Sequence, residues 1–254
     1  MARAGQPQMR SLPASHLAYE QQLRSAMPLA RWFQPATATQ AAGPWHAATI
    51  QLVEIDALLA YQFTVDTDRT TGHCGGLSSP PTLDELLAAC LPTSWTTGPT
   101  PMSQQKTEPG PGLPPVNQSF VLKSRTLNFR ILEQGLFPQP DIGGTLIGVL
   151  VGPALPHAQV VRFNNRCYLH NGFHRAVGAR SRGATEIPCL VYDIPSATAA
   201  GIRDGATFPL TLLESANPPT VGHFTQGRAH QVRLRAMTRI LQIHWADHVM
   251  PDED

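Results

Sequence analysis

The sequence predicts an α+β fold, a small mixed β-sheet with packed helices and helical additions at the N- and C-terminal ends. Two observations carry that expectation. Residues 158–194 read as strand, turn, strand, helix and strand, with apolar alternation giving way to a helical period and returning. Residues 15–33 and 223–249 place apolar side chains at helical spacing.

The composition sets the frame. The chain has 254 residues, enough for a sizeable core, with 42% hydrophobic and 15% charged residues. Its 24 prolines and 20 glycines demand many turns. The net charge of +1 gives no overall field towards nucleic acid or membrane. Arginines number 17 against 2 lysines, which suits bidentate anion contacts and is equally what a GC-rich genome produces. Cys74, Cys90, Cys167 and Cys189 show no CxxC spacing, so no structural zinc site is expected. Reduced thiols, no apolar leader and no long apolar run make a cytoplasmic, bacterial-type protein the expectation.

The elements follow in order. Residues 1–45 are read as a floppy tail over 1–13 and a helix from Ser15, which Pro28 kinks or ends. Residues 46–92 form a strand–helix unit: Thr49–Ile55 as a strand, Asp56–Tyr61 as a turn or short helix, and Pro81–Leu91 as a helix. That helix carries a capping box, Thr82 with Glu85 three residues on. Residues 93–117 contain six prolines and are expected to be a linker without regular structure. Residues 118–200 form the core. Ser119–Leu122, Thr126–Leu132 and Leu146–Val151 read as strands, and Asn164-Asn165 joins two more in a hairpin. A helix then runs from His174 to about Arg182, closed by Gly183, before a strand over Ile187–Ile194. Residues 201–254 are expected to be helical.

The chemistry concentrates between Asp141 and Glu186, where no Asp or Glu occurs. In that span stand Arg162, Arg166, Arg175, Arg180, Arg182, His157, His170 and His174. A glycine turn at Gly172 leads into a helix whose first N–H groups and dipole favour an anion. His174 and Arg175 fall at that end, where a cation is unfavourable unless something compensates it. A bound phosphate would do so; so would pairing of Arg175 with a carboxylate elsewhere, and spacing leaves both open.

Other groups are weaker. His244 and His248 stand i, i+4, and Arg228, Arg235 and Arg239 share a helical stripe that is more commonly a solvated face than a nucleic-acid surface. Asp66 and Asp68 with Arg69 fit a satisfied turn better than a metal site. Glu54 and Asp56 are open to either reading, and Cys167 and Cys189 fit buried core thiols.

The segment Tyr168-Leu169-His170-Asn171-Gly172-Phe173-His174-Arg175-Ala176, a short helix, and then Gly183 through Ile187-Pro188-Cys189-Leu190-Val191 resembles the ParB/sulfiredoxin-like superfamily. Its signature is a strand, a G-x-[HR]-R turn, a helix ending at glycine and a strand beginning near Val/Ile-Pro. The match covers about 30 residues strongly, and Ile50–Tyr61 weakly resembles the first strand of that fold. The resemblance implies a ParB/sulfiredoxin-like fold whose turn binds nucleotide phosphates. Asn171, Gly172, Phe173, His174 and Arg175 would then bind phosphate, and His174 and Arg175 would carry any catalysis. It also implies a nucleoside triphosphate with Mg²⁺ as cofactor and nucleic acid as a partner.

Two departures narrow it. Phe173 stands where sulfiredoxins carry their catalytic Cys, which removes sulfinic acid reduction from the expected activities. Phe173 and His174 replace the Glu and Arg of ParB proteins, so CTP switching of that kind is not implied. Two functions remain: a nucleotide-dependent hydrolase or nuclease acting on nucleic acid, and a non-catalytic ParB-like module that binds DNA or a protein.

Overall fold

A computed structural model of the chain describes residues 3–26, 48–93, 102–107, 117–124, 129–139, 143–153, 157–202, 205, 207–233 and 238–246. In chain order the elements are β1 (Met9–Ser11), α1 (Leu17–Ala26), β2 (Thr49–Glu54), α2 (Thr67–Cys74), α3 (Leu83–Cys90), β3 (Met102–Thr107), β4 (Asn117–Ser124) and β5 (Phe129–Gln139). There follow β6 (Gly144–Pro153), β7 (Gln159–Phe163), β8 (Arg166–Asn171), α4 (Phe173–Ser181), β9 (Glu186–Asp193), α5 (Leu210–Leu213) and β10 (Arg239–Ala246). The chain is thus mixed α and β. It divides into two compact units, one of Met1–Trp95 with Leu155–Val232, the other of Thr96–Ala154 with Arg233–Asp254. Among the described residues no helix is long and apolar enough to cross a membrane.

The first unit is built on a five-stranded sheet in the order β1-β2-β9-β7-β8. Only β7 and β9 run parallel, so the sheet is mixed. β9 lies at its centre and is buried from Ile187 to Tyr192, as a strand covered on both faces must be. Pro188 has no N–H to give to a ladder, and it stands ahead of the pairing with β7, which begins at Leu190. Leu52, Val53, Ile55, Leu58, Leu59, Leu87, Tyr168, Leu169, Ile187 and Leu190 form the centre of the core.

The local signals are met where they are strongest. Asn164 and Asn165 both take positive φ, 49° and 55°, and Phe163 pairs with Arg166 across the two-residue turn. The Thr82–Glu85 capping box is complete, and Ser78 adds two hydrogen bonds to the Glu85 carboxylate, from its N–H at 3.0 Å and its hydroxyl at 2.6 Å. These bonds to the ionised form hold the Glu85 carboxyl down to about 2. Gly183 takes φ +95° just beyond α4, the left-handed stop expected of it. Residues 27–33, where Pro28 was read as a stop, lie outside the described residues.

Three expectations are overturned. Residues 3–13 are not a loose tail: β1 pairs with β2, and Gly5 both donates to the Ala57 carbonyl and accepts from the Cys167 N–H. The exposed edge of β2 supplies hydrogen-bonding partners that no local pattern in 1–13 announces. Within the proline-rich stretch, Met102–Thr107 is a strand paired with β4; that run contains no proline, and the neighbouring strand satisfies its backbone. Arg239–Ala246, read as helix, is a strand paired along eight residues with β4. Ile240, Ile243 and Trp245 are β-branched or aromatic, and the long ladder outweighs their helical spacing. The described remainder of 207–233 holds one turn of helix at α5 and a 3₁₀ turn at Val221–Phe224 rather than a helical region. The shared stripe of Arg228, Arg235 and Arg239 therefore has no helix to lie on, and His244 sits in a strand; Arg235 and His248 lie outside the described residues.

The second unit holds two further antiparallel assemblies, β10-β4-β3 and the β5–β6 pair, the latter with a register shift between Ile131 and Glu133.

Candidate anion site at the start of α4

β8 delivers the chain to the turn. The Asn171 side-chain oxygen accepts from the Gly172 N–H at 2.9 Å, and Gly172 takes φ +98° as the residue capping α4. No side chain caps this helix, so its first N–H groups have only what the turn and a ligand offer. The close approach that Gly172 permits is to the protein itself. A β-carbon there would lie 3.0 Å from both Cα and Cβ of Ala158, just before β7, and 3.8 Å from Nη1 of Arg175.

The five arginines of the acid-free segment separate sharply. Arg162 makes a bidentate pair with Asp193 at 2.9 and 2.8 Å. Arg180 does the same with Asp56 at 2.8 and 2.9 Å. Arg166 donates to the carbonyls of Leu213, Glu214 and Ser215, and Arg182 to that of Gly75. Arg175 alone has none of this. It is 6% exposed, its Nη1 is buried without a hydrogen-bond partner, and no described carboxylate pairs with it.

The nearest candidates for a counter-charge are thiols, and they do not supply one. Burial pushes Cys90 up to about 12, Cys189 well above its ordinary value and Cys74 upward, against the lowering effect of the Arg175 cation on each. All three are therefore neutral near pH 7. Burial in turn lowers the Arg175 pKa, although a guanidinium stays charged at any physiological pH. An unpaired buried charge is among the costlier features a core can hold.

His174 is only half-buried, and its pKa falls to about 4, through burial first, then Arg69, His73 and Arg175, with Asp66 opposing. Its ring centroid lies 6.5 Å from that of His73 on α2. His174 is accordingly a neutral imidazole at neutral pH and adds no second positive charge beside Arg175. Phe173 is 3% exposed and meets Tyr61 edge-on at 5.9 Å, so its ring belongs to the core and only its backbone faces the turn. His170 is bound to the Tyr61 hydroxyl at 2.8 Å and sits 3.2 Å from the Ala200 carbonyl, a structural role.

No family model, no curated protein and no solved structure matches the chain.

The remaining candidates take structural roles. Asp66 caps α2, accepting from the Arg69 N–H at 3.1 Å, and Glu54 accepts from the Gln8 N–H. Cys167 and Cys189 are buried with raised pKa values. Among the described residues no three His, Cys, Asp or Glu side chains are grouped to hold a metal ion. The sequence named His157 only as one of the cationic span and Arg69 only beside Asp66 and Asp68, and it did not name His73; yet His157 is 4% exposed with Nδ1 unpartnered, and the Arg69 charge and the His73 ring on α2 face His174. No local pattern marks them, since α2 meets α4 only in the folded chain. A shallow cavity between Arg10, Pro81, Leu83 and Glu186 lies at the opposite end of α4, and its Arg10 and Glu186 are bound to each other.

Proposed function

We propose that this chain binds a phosphate-bearing ligand, a nucleotide, at the N-terminus of α4, with Arg175 as its central anion ligand. The observation that carries the reading is the sorting of the arginines: four have partners, and the one beside the uncapped helix start is buried with none. A phosphate oxygen would accept from the guanidinium and from the first N–H groups of α4 together, removing the cost of the unpaired charge. The resemblance of Asn171–Ala176 and Gly183–Val191 to the ParB/sulfiredoxin-like superfamily supports phosphate as the anion and that fold as the frame. The commitment of the other four arginines within the protein favours a compact anion over a long nucleic-acid track.

Binding without catalysis is the first form of this reading, because a His174 pKa near 4 leaves a weak base and no acid at neutral pH. Hydrolysis of a nucleotide or phosphodiester is the second. It is favoured by the place of His174 next to Arg175: a bound phosphate would raise the imidazole pKa and let it pass a proton to a leaving oxygen. Among the described residues no three His, Cys, Asp or Glu side chains are grouped, so a Mg²⁺ accompanying the nucleotide would be held chiefly by its phosphates and water.

The test is a thermal-shift and calorimetric panel of nucleotides, with and without Mg²⁺, and of short DNA, on the wild-type chain and Arg175→Met. A ligand at a hundred times its Kd should add about 2.7 kcal/mol to stability, seen as a higher Tm in the wild type alone. No shift with any phosphate ligand, or equal binding by Arg175→Met, overturns the reading. Release of phosphate or of a nucleoside monophosphate over time would favour the hydrolytic form.

A further inference from the structure

Next to Arg175 lies a second buried orphan of opposite character. His157 Nε2 is 2.9 Å from the Pro92 carbonyl oxygen. A carbonyl only accepts, so Nε2 carries the proton, and the neutral ring leaves Nδ1 as a bare acceptor. Burial and the nearby Arg175 charge both disfavour a second proton. Nδ1 is nevertheless buried with no donor, while Nη1 of Arg175 is buried with no acceptor. The two residues are neighbours in the fold, close enough for the Arg175 charge to act on the His157 ring. His157 immediately precedes Ala158, whose Cα and Cβ crowd the Gly172 β-carbon position, and Nη1 stands 3.8 Å from that same position. They do not bond to each other. Both residues are more than nine-tenths buried.

We propose that His157 is a second ligand of the Arg175 site, and that the group the pair selects is a protonated phosphate oxygen, one that accepts from Arg175 Nη1 and donates to His157 Nδ1. This rests on the anion reading above and specifies its chemistry. A cation without a counter-charge calls for an anion, and an acceptor without a donor calls for that anion to carry a proton. Inorganic phosphate keeps a P–OH in both of its ionic forms near neutral pH, and a phosphate monoester keeps one below its second pKa of about 6. Sulfate has the same size and charge range and keeps none, so it would set an oxygen lone pair against the Nδ1 lone pair.

The experiment is calorimetric titration of the full chain with inorganic phosphate and with inorganic sulfate at pH 6, where most phosphate is the dihydrogen ion. Wild type should prefer phosphate by about ten- to hundredfold, the range of one hydrogen bond to a charged group. His157→Gln keeps a donor for the Pro92 carbonyl and loses the acceptor at the Nδ1 position. His157→Asn does the reverse. The Gln variant should lose most of the preference, and the Asn variant should keep it, with unfolding curves confirming that both are folded. Equal binding of phosphate and sulfate by wild type, with Arg175→Met losing both, overturns the His157 proposal and leaves the anion site standing; a buried water bridging the pair would give that result. Unchanged preference in His157→Gln overturns it as well. Binding of neither ion overturns both.

Discussion

Gly172 and Ala158 meet with no room between them: a β-carbon on Gly172 would stand 3.0 Å from the Ala158 Cα and Cβ. The contact locks the turn before α4 against the start of β7, and the same turn takes φ +98°. Gly172→Ala must therefore both strain the left-handed backbone and displace Ala158. A cost of about 2–5 kcal/mol is expected, from ~1–2 for the backbone and ~1–3 for overpacking. Urea unfolding checks it, and a loss under about 0.5 kcal/mol, the range of ordinary surface substitutions, would show that the turn is slack.

Arg175→Met separates stability from binding. The guanidinium is buried and unpaired, so an apolar side chain of similar length should stabilise the ligand-free chain by about 1–3 kcal/mol, by analogy with buried charges replaced by hydrophobic residues. Denaturant midpoints of the two proteins without added anions measure it. A destabilised Arg175→Met would mean that the guanidinium holds the core together.

Phe173→Ala should do the opposite. The ring is 3% exposed against Tyr61, and its loss should cost about 3–5 kcal/mol. The fraction that remains folded at low temperature should still bind phosphate, since only the backbone of residue 173 faces the site. Anion titration below the transition of the variant tests this; loss of binding in folded protein would place the ring in the site.

Glu85 controls a pH dependence that can be isolated. Its carboxyl is held near 2, against an ordinary 4.5, by hydrogen bonds from Ser78 and Thr82. A depressed folded pKa means that the contribution is complete above about 4.5 and fades as pH falls towards 2. Wild type should exceed Glu85→Gln in Tm at pH 6, and the gap should close between pH 4.5 and 2. A gap that is constant across this window would show that Glu85 acts without its charge.

The sequence by itself determined the parts of this protein whose causes lie within a few residues. Asn164-Asn165 accept the positive φ that a two-residue hairpin needs, Thr82 and Glu85 cap their own helix, and Gly183 stops α4. The strand–turn–helix–strand order around Gly172 and the absence of carboxylates from 142 to 185 were legible for the same reason. Only the tertiary structure decided which cation is left over. Asp193 is 31 residues from Arg162 and Asp56 is 124 from Arg180, and nothing local distinguishes those arginines from Arg175. The same holds for β1, β3 and β10, whose strand state comes from a neighbouring ladder, and for His157, whose tautomer is set by the Pro92 carbonyl 65 residues away. Hydrogen bonds and charges act over a few ångströms, and which groups come that close is a property of the packed chain.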